Sequence, residues 1–244
     1  MKKVLVCKEK DERETRVALI PDDIKKLVQM GFEFKVVAGA GLKSGFSDEA
    51  YKNAGATIVA ISDTTGTYYN PKGVNISKAF EYVNRDPSQR GRKLEGFESE
   101  GCEKLGVNDA ILVDCDFLLP CALQGVINQD TANKVKAKYI LEGANSPTTP
   151  EGEEILKDAG VIVVPDFLAN SGGVIGSYFE WAQNLQGYSW TEDEYNERLV
   201  NLMKENFNKV WDYAQDKKVT MRRSAYIAAI KRVADIVALR GVYL

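Results

Sequence analysis

Residues 161–190 read VIVVPDFLANSGGVIGSYFEWAQNLQGYSW, and this stretch decides the predicted fold. It opens with four consecutive β-branched residues, Val161 to Val164, the pattern of a strand buried on both faces of a parallel sheet. Pro165 ends that strand, and the pair Gly172-Gly173 precedes a long amphipathic helix. Open α/β sheets bind ligands at such strand-to-helix turns, where backbone amides are exposed. The alternative is that the two glycines only permit a tight turn.

The composition is that of an ordinary globular chain. Its 244 residues are 44% hydrophobic and 27% charged, enough for one large or two small domains. A net charge of -3 without a basic run gives no indication of nucleic-acid binding. No apolar run approaches membrane length, and the one near the N-terminus is too short for a signal peptide. These features predict a cytoplasmic protein.

Histidine is absent, which excludes every mechanism that needs an imidazole base or ligand. Acid-base chemistry would therefore have to come from Lys, Asp, Glu or Tyr. The four cysteines lack CxxC spacing, so they indicate neither a disulfide framework nor a metal site. We expect buried, reduced thiols and no bound metal.

Strand and helix patterns alternate along the chain, which favours a parallel sheet covered by helices. The predicted strands are 3–7, 34–38, 56–62, 116–119, 139–141 and 161–164. The predicted helices begin at Pro21, near Ser47 and near Ser77, and a further one covers 128–135. Thr191 and Glu194 form a capping box before a helix whose apolar spacing predicts core side chains at Leu199, Leu202, Met203, Phe207, Val210 and Tyr213. The last helix, near 222–240, presents Ile227, Ile230, Val233 and Val237.

Residues 161–190 resemble a segment of the glutamate dehydrogenase family, whose last sheet strand is followed by P-D-x-x-A-N-A-G-G-V-x-x-S-Y-F-E-W-x-Q-N. Upstream, DCDFLLPCAL (114–123) is similar to that family's D-C-D-I-L-I-P-A-A-L, and KAKYILEGANSPTTPEGEEIL (136–156) to its K-A-K-x-I-x-E-G-A-N-x-P-T-T-P-E-A. The resemblance covers about 57–244 and corresponds to the family's cofactor domain. It implies a single Rossmann-like α/β domain over 1–244. Its doubly wound, mostly parallel sheet would carry helices on both faces and a C-terminal helical extension.

Residues 3–59 resemble a different family, the N-terminal domain of alanine dehydrogenases and proton-translocating transhydrogenases. The shared motifs are K-E-x-x-x-x-E-x-R-V-A-L-x-P and G-A-G-x-x-x-G-F-S-D-x-x-Y-x-x-A-G-A. The chain is therefore interpreted as a chimera of segments 1–56 and 57–244, with ordinary divergence from one ancestor as the alternative. By this resemblance Arg16 would hold a substrate carboxylate; otherwise it is a solvated loop arginine.

A glycine-rich turn and an acidic strand end are spaced as in dinucleotide-binding folds. Gly39, Gly41 and Gly45 follow one strand, and Asp63 ends the next, at about the 20-residue distance that such folds use. A carboxylate there accepts both hydroxyls of the adenosine ribose, which favours NAD over NADP. The alternative is that GAGLKSG is only a structural turn.

The glutamate dehydrogenase resemblance also implies roles for single residues. Cys121 and Ala122 would lie against the cofactor ribose, and Asn145 would contact the ribose on the nicotinamide side. Asn170 would lie near the nicotinamide amide, and Ser177 would reach the substrate pocket. Ser171 and Gly176 depart from the family pattern, which has Ala and a larger residue there.

The family's catalytic Lys-rich segments and Asp have no recognised counterpart in this sequence. We therefore expect an NAD(H)-binding domain with little or no dehydrogenase activity alone. The alternatives are an active small amino-acid or 2-oxo-acid dehydrogenase and a structural module that binds no nucleotide. A homodimer is expected, through the face of Phe179, Trp181 and the final helix or through a sheet edge.

Overall fold

A computed structural model of the chain describes residues 2–6, 17, 19–40, 42, 45, 47–63, 65–83, 94–107, 109–121 and 124–241, without the side chains of 62, 63, 76 and 80. Within these residues the chain divides into two compact units, Met1–Val161 and Ile162–Leu244. No helix among them combines the length and apolar character that a membrane span requires.

The first unit is built on a mostly parallel sheet. Its strands are β1 (Lys2–Val6), β2 (Phe32–Val37), β3 (Ala56–Asp63), β4 (Gly66–Tyr69), β5 (Glu103–Leu105), β6 (Phe117–Leu119) and β7 (Tyr139–Leu141). They lie side by side in the order β5-β4-β3-β2-β1-β6-β7. The pairs β1 with β2, β2 with β3, β1 with β6 and β6 with β7 are parallel, whereas β4 is antiparallel to both its neighbours. The predicted α/β fold with a mostly parallel sheet is confirmed.

The order of the parallel strands locates the edge where ligands bind in such sheets. From β1 the chain winds outward through β2 and β3, and it then returns to place β6 and β7 on the other side of β1. Counted along the chain, these five strands have the order 3-2-1-4-5 of a dinucleotide-binding fold. The switch point lies between β1 and β6. The loop after β1, residues 7–16, is outside the described residues.

The helices of the first unit are α1 (Pro21–Gln29), α2 (Asp48–Asn53), α3 (Ile76–Val83) and α4 (Pro150–Asp158). Pro21 occupies the first turn of α1, as predicted, because its missing N–H is not needed there. The side chains of Ser47 and Thr149 cap α2 and α4 by accepting hydrogen bonds from the amides of Ala50 and Gly152.

The predicted helix over 128–135 is wrong. Only a short 3-10 helix, Ala132–Lys134, forms there. The Asn128 side chain instead donates to the Gly125 carbonyl and accepts from the Asp130 amide. Such local hydrogen bonds from an Asn side chain stabilise a turn in competition with an α-helix.

The core of the first unit lies between the sheet and its helices. One apolar cluster joins residues of β1, β2 and β3 to α1 and α2, and includes Val6, Ile24, Phe34, Val36 and Tyr51. A second cluster lies at the antiparallel edge and comprises Ile61, Tyr68, Val74, Ala79, Leu94 and Phe97. Tyr51 is fully buried, and its hydroxyl donates a 2.8 Å hydrogen bond to the Leu19 carbonyl.

The second unit consists of β8 (Ile162–Val164), α5 (Asp166–Ala169), α6 (Gly172–Gln186), α7 (Glu192–Lys217) and α8 (Met221–Arg240). The predicted strand, the long helix of this stretch and the Thr191–Glu194 capping box are confirmed. The glycine pair forms the first two residues of α6 and not a turn before it. Phe179 of α6 is buried, with ring-centroid distances of 5.2 Å to Trp190 and 5.7 Å to Tyr195. This cluster joins α6 to α7.

Two predicted core residues of α7 are exposed instead. Phe207 and Tyr213 have 37% and 36% of their surface accessible, whereas Val210 is buried. The helix packs through a narrow strip, in which Val210 and Ala214 are buried, so side chains beside the strip reach solvent. Trp181 of α6 is 57% exposed, so Phe179 and Trp181 do not share one exposed face as predicted.

Candidate functional site

The carboxyl ends of β6 and β7 are joined by backbone hydrogen bonds. The carbonyl oxygen of Pro120, just after β6, accepts from the amides of Gly143 and Ala144, just after β7, at 3.1 and 2.9 Å. The Cys121 side chain is buried below, and a methyl group on Gly143 would lie 2.6 Å from its sulfur. A side chain at residue 143 would therefore force the buried Cys121 sulfur to move.

The chain leaves β7 through an exposed, strained turn. Asn145 is exposed, and Ser146 has a φ of 49°, which is unusual for a residue other than glycine. The Ser146 carbonyl accepts a 2.9 Å hydrogen bond from the Gly125 amide, which holds the turn in place. Strained backbone of this kind concentrates at binding sites. Asn145 is thus presented at the sheet edge where the sequence predicted a cofactor contact.

Glu142 was missed by the sequence reasoning. It follows β7 directly, and its side chain is fully buried. A buried carboxyl group needs partners to offset the loss of hydration. The signal for this residue was present in the E-G-A-N motif, in which only the asparagine was singled out.

The predicted glycine turn follows β2, and a carboxylate side chain of the protein itself binds to it. Gly39 has a φ of 74°, and its amide donates a 2.7 Å hydrogen bond to a carboxylate oxygen of Asp48. Gly45 has a φ of 84°, and Gly41 lies outside the described residues. The Asp48 carboxylate therefore already accepts the hydrogen bond from the Gly39 amide that a pyrophosphate oxygen would have to accept. The turn also follows β2, one strand away from the switch point beside β1.

Asp63 ends β3, as predicted, and pairs there with Gly66 of β4. Because β2 and β3 are parallel neighbours, the Gly39 turn and Asp63 lie at the same edge of the sheet. The Asp63 side chain, Arg16 and Ala122 are outside the described part of the structure.

The two predicted residues of the second unit lie close together in sequence but on different elements. Asn170 caps the C-terminus of α5, where its amide donates a 2.8 Å hydrogen bond to the Asp166 carbonyl. Ser177 lies on an exposed face of α6, and its hydroxyl donates to the Gly173 carbonyl at 3.2 Å. Ser177 is thus accessible to a ligand.

The structure accounts for both departures from the family pattern. The Ser171 hydroxyl donates to the Leu168 carbonyl at 2.9 Å and lies 3.1 Å from the Met203 sulfur. Gly176 is buried, and the Tyr195 hydroxyl fills the space that a side chain at 176 would occupy. A larger residue at 176 would displace Tyr195.

The amino end of β6 carries a cluster of charges with a buried thiol. The buried Lys35 ammonium donates to the Asp114 carbonyl at 3.4 Å. Burial, and next the Asp114 charge, raise the pKa of the Cys115 thiol to about 12. This thiol is therefore protonated and unreactive near neutral pH. In the described residues, no group of three or more Cys, Asp or Glu side chains could hold a metal ion.

The sequence profile described as Glutamate/Leucine/Phenylalanine/Valine dehydrogenase matches residues 24–241. The chain is also 39% identical over 206 residues to an NAD-specific glutamate dehydrogenase of Staphylococcus aureus strain COL. That match covers 84% of this chain and 48% of the relative. The chain thus spans about half the length of the curated relatives it matches.

Solved structures of glutamate dehydrogenases are similar over the same portion. A hetero-hexameric glutamate dehydrogenase from Thermus thermophilus superposes with a TM-score of 0.65 at 25% identity, covering 91% of this chain and 52% of that one. The enzyme from Peptoniphilus asaccharolyticus gives 0.60 at 27% identity, covering 97% and 55%. The strand order and the hydrogen-bonded ends of β6 and β7 are consistent with the assignment that the profile match gives. The profile match over 24–241 shows that the chain belongs to the Glu/Leu/Phe/Val dehydrogenase family.

Proposed function

We propose that this protein binds NAD(H) at the carboxyl edge of its parallel sheet. The observation that carries this proposal is the junction of β6 and β7, where Pro120 and Gly143 bring two strand ends together and Asn145 is presented to solvent. Open α/β sheets bind nucleotides at this edge. The printed name of the Staphylococcus aureus relative, NAD-specific glutamate dehydrogenase, supports NAD as the cofactor.

In this proposal Asp63 binds the hydroxyls of the adenosine ribose. Cys121, Ala122 and Asn145 line the nicotinamide half of the cofactor site. Asn170 lies near the nicotinamide, and Ser177 and Arg16 are the candidates for binding an amino acid or a 2-oxo acid. The glycines of 39–45 contact the pyrophosphate only if Asp48 releases the Gly39 amide, because the two anions compete for one donor.

Calorimetric titration with NADH and NADPH tests the proposal. We expect NADH to bind at least about tenfold more tightly than NADPH, because the Asp63 carboxylate repels a 2′-phosphate. Asp63→Ala should weaken NADH binding by about tenfold, the effect of losing charge-assisted hydrogen bonds. The matched control is Asp158→Ala, which removes an exposed carboxylate at the end of α4. No binding of either cofactor would favour the structural-module alternative.

We also propose that the chain has little or no dehydrogenase activity by itself. Hydride transfer from an amino acid needs a positioned cation and a proton shuttle, and the sequence offers no recognised counterpart of the family's Lys and Asp groups. A spectrophotometric assay with NAD and either glutamate or alanine decides between this and the active-dehydrogenase alternative. Turnover that disappears in Ser177→Ala would establish the alternative.

Two proposals concern organisation. The first is that 1–244 functions as a single Rossmann-like domain despite its two compact units. The second is a fused origin, with segment 1–56 added to a glutamate dehydrogenase-like cofactor domain over 57–244. Its support is the motif resemblance of 3–59 alone, because the matched residues 24–241 run through the proposed join.

We further propose a homodimer through α8. Tyr226, Ile230, Val233 and Val237 recur every three to four residues and form an apolar α8 stripe that is 45% to 65% exposed. Between 226 and 237 the residues beside this stripe are uncharged, namely Ile227, Ala229, Ala234 and Ile236, and Arg223 and Arg240 lie beyond its two ends. Lys231 and Asp235 pair with each other on the opposite side, at 3.1 Å. A second copy offers the same apolar stripe, so pairing the two stripes between 226 and 237 buries no charged side chain.

Val233→Lys should convert the dimer to a monomer, because it places two ammonium groups at the centre of the paired stripes. We expect the dissociation constant to rise at least about tenfold, measured by light scattering at increasing concentration. The control is Leu239→Lys, the same kind of change at a residue that is 87% exposed but lies off the stripe. Wild-type protein that stays monomeric at high concentration contradicts the proposal, as does equal dissociation in both variants.

A further inference from the structure

We propose that Arg222 is a positioning residue that fixes Asn170 at the nicotinamide end of the cofactor site, acting through Asp166. This inference rests on the NAD(H)-binding function proposed above. Arg222 is far from Asn170 in sequence, and no sequence motif joins the two. Their connection is a buried ion pair inside the second unit.

The ion pair is close and largely shielded from water. Arg222 Nη1 lies 3.1 Å from Asp166 Oδ1, and the two side chains are 18% and 12% exposed. The guanidinium also lies 6.0 Å from the centre of the Phe167 ring, which in turn lies 4.8 Å from the Tyr226 ring. Charges in such surroundings interact more strongly than at an open surface, so loss of the guanidinium removes the close counter-charge that Asp166 has in this pair.

Asp166 transmits this constraint to Asn170 over a single helical turn. It is the first residue of α5, and its carbonyl accepts the 2.8 Å hydrogen bond from the Asn170 amide. Since α5 has only four residues, a change in the orientation of Asp166 reorients the Asn170 backbone. The side-chain amide of Asn170 moves with it.

Arg222 is itself held by a well-anchored turn. The Thr220 side chain caps α8 by accepting from the Arg223 amide at 3.2 Å. Ser224 is fully buried, and its hydroxyl donates a 2.7 Å hydrogen bond to the Val210 carbonyl of α7. The guanidinium therefore projects from an anchored turn and can hold the four-residue α5 through Asp166.

Arg223 provides a matched control. It is the same residue type on the same turn, but it is exposed, whereas Arg222 is partly buried. The variants are Arg222→Gln, which removes the charge, Arg222→Lys, which keeps the charge but lacks the planar fork, and Arg223→Gln. Lysine also preserves the partner of Asp166, so Arg222→Lys tests the inference even if Arg222→Gln does not fold.

The readout is calorimetric affinity for NADH and for ADP-ribose, which lacks the nicotinamide. We expect Arg222→Gln to weaken NADH binding about tenfold and Arg222→Lys about threefold, with ADP-ribose affinity unchanged within about twofold. Arg223→Gln should leave both affinities unchanged. Equal losses for both ligands would show a merely structural role, and an unchanged NADH affinity in both Arg222 variants would overturn the inference. Wild-type protein that binds neither ligand would instead refute the proposed function, and this inference with it.

Discussion

Replacing Gly152 by alanine is expected to destabilise the protein by about 2 kcal/mol, the cost of overpacking a site that cannot adjust. Gly152 is buried in the first turn of α4. A methyl group there would lie 2.6 Å from the Ile127 carbonyl oxygen and 3.2 Å from the Asn128 Cα atom. Both are backbone atoms, and the Ile127 carbonyl is held by the Thr149 amide at 2.9 Å. The backbone would have to shift to make room.

Urea unfolding followed by circular dichroism measures this effect as a lower midpoint with an unchanged slope. The control is the same change at Gly172, in the first turn of α6, where nothing lies within 4 Å of the added methyl group. There alanine should be neutral or stabilise the protein by up to about 1 kcal/mol, because it favours the helix over glycine. The two substitutions should therefore act in opposite directions. A Gly152→Ala midpoint at or above the wild-type value would contradict the prediction.

The second large effect is a loss of stability at alkaline pH. Burial raises the pKa of the Cys115 thiol from 9.0 to about 12 and the pKa of the Tyr51 hydroxyl from 10.0 to about 12. Above the lower values the unfolded chain releases protons that the folded chain retains, so ionisation favours unfolding. The stabilising contribution is complete below about pH 9 and is lost as the pH rises through about 12. The free energy of unfolding should fall by up to about 1.4 kcal/mol per pH unit for each group.

Denaturant unfolding at intervals between about pH 8 and pH 11 measures the slope. Cys115→Ala should reduce the slope above about pH 9, and Tyr51→Phe should reduce it only above about pH 10. Tyr51→Phe also removes the hydrogen bond to the Leu19 carbonyl, so its stability at neutral pH should be lower by about 1 kcal/mol. A profile that is flat up to pH 11 in the wild type would show that these groups do not differ between the folded and unfolded states.

The elements that the sequence predicted well have strong local signals. Val161 to Val164 form an apolar run between polar segments, and β8 lies there. Thr191 and Glu194 have the spacing of a capping box, and α7 begins between them. The apolar spacing after Gly172-Gly173 located α6 as well, although the two glycines form its first residues and not a turn before it.

The elements that were missed depend on contacts between distant residues. Strands β4 and β5 are four and three residues long, and they are stabilised mainly by pairing with each other and with β3. The helix expected over 128–135 gave way to a turn made by the Asn128 side chain. At the candidate site, the bond between Gly39 and Asp48 and the pair of Asp166 with Arg222 have no signature in the spacing of residues. They follow only from the folded arrangement.

The contact between Gly176 and the Tyr195 hydroxyl has an evolutionary consequence. A side chain at 176 and the tyrosine at 195 compete for the same space, so a larger residue at 176 would force the Tyr195 ring to move. A relative with a larger residue at 176 should therefore carry a smaller residue or a differently placed ring at 195. Positions 176 and 195 should vary as a pair rather than independently.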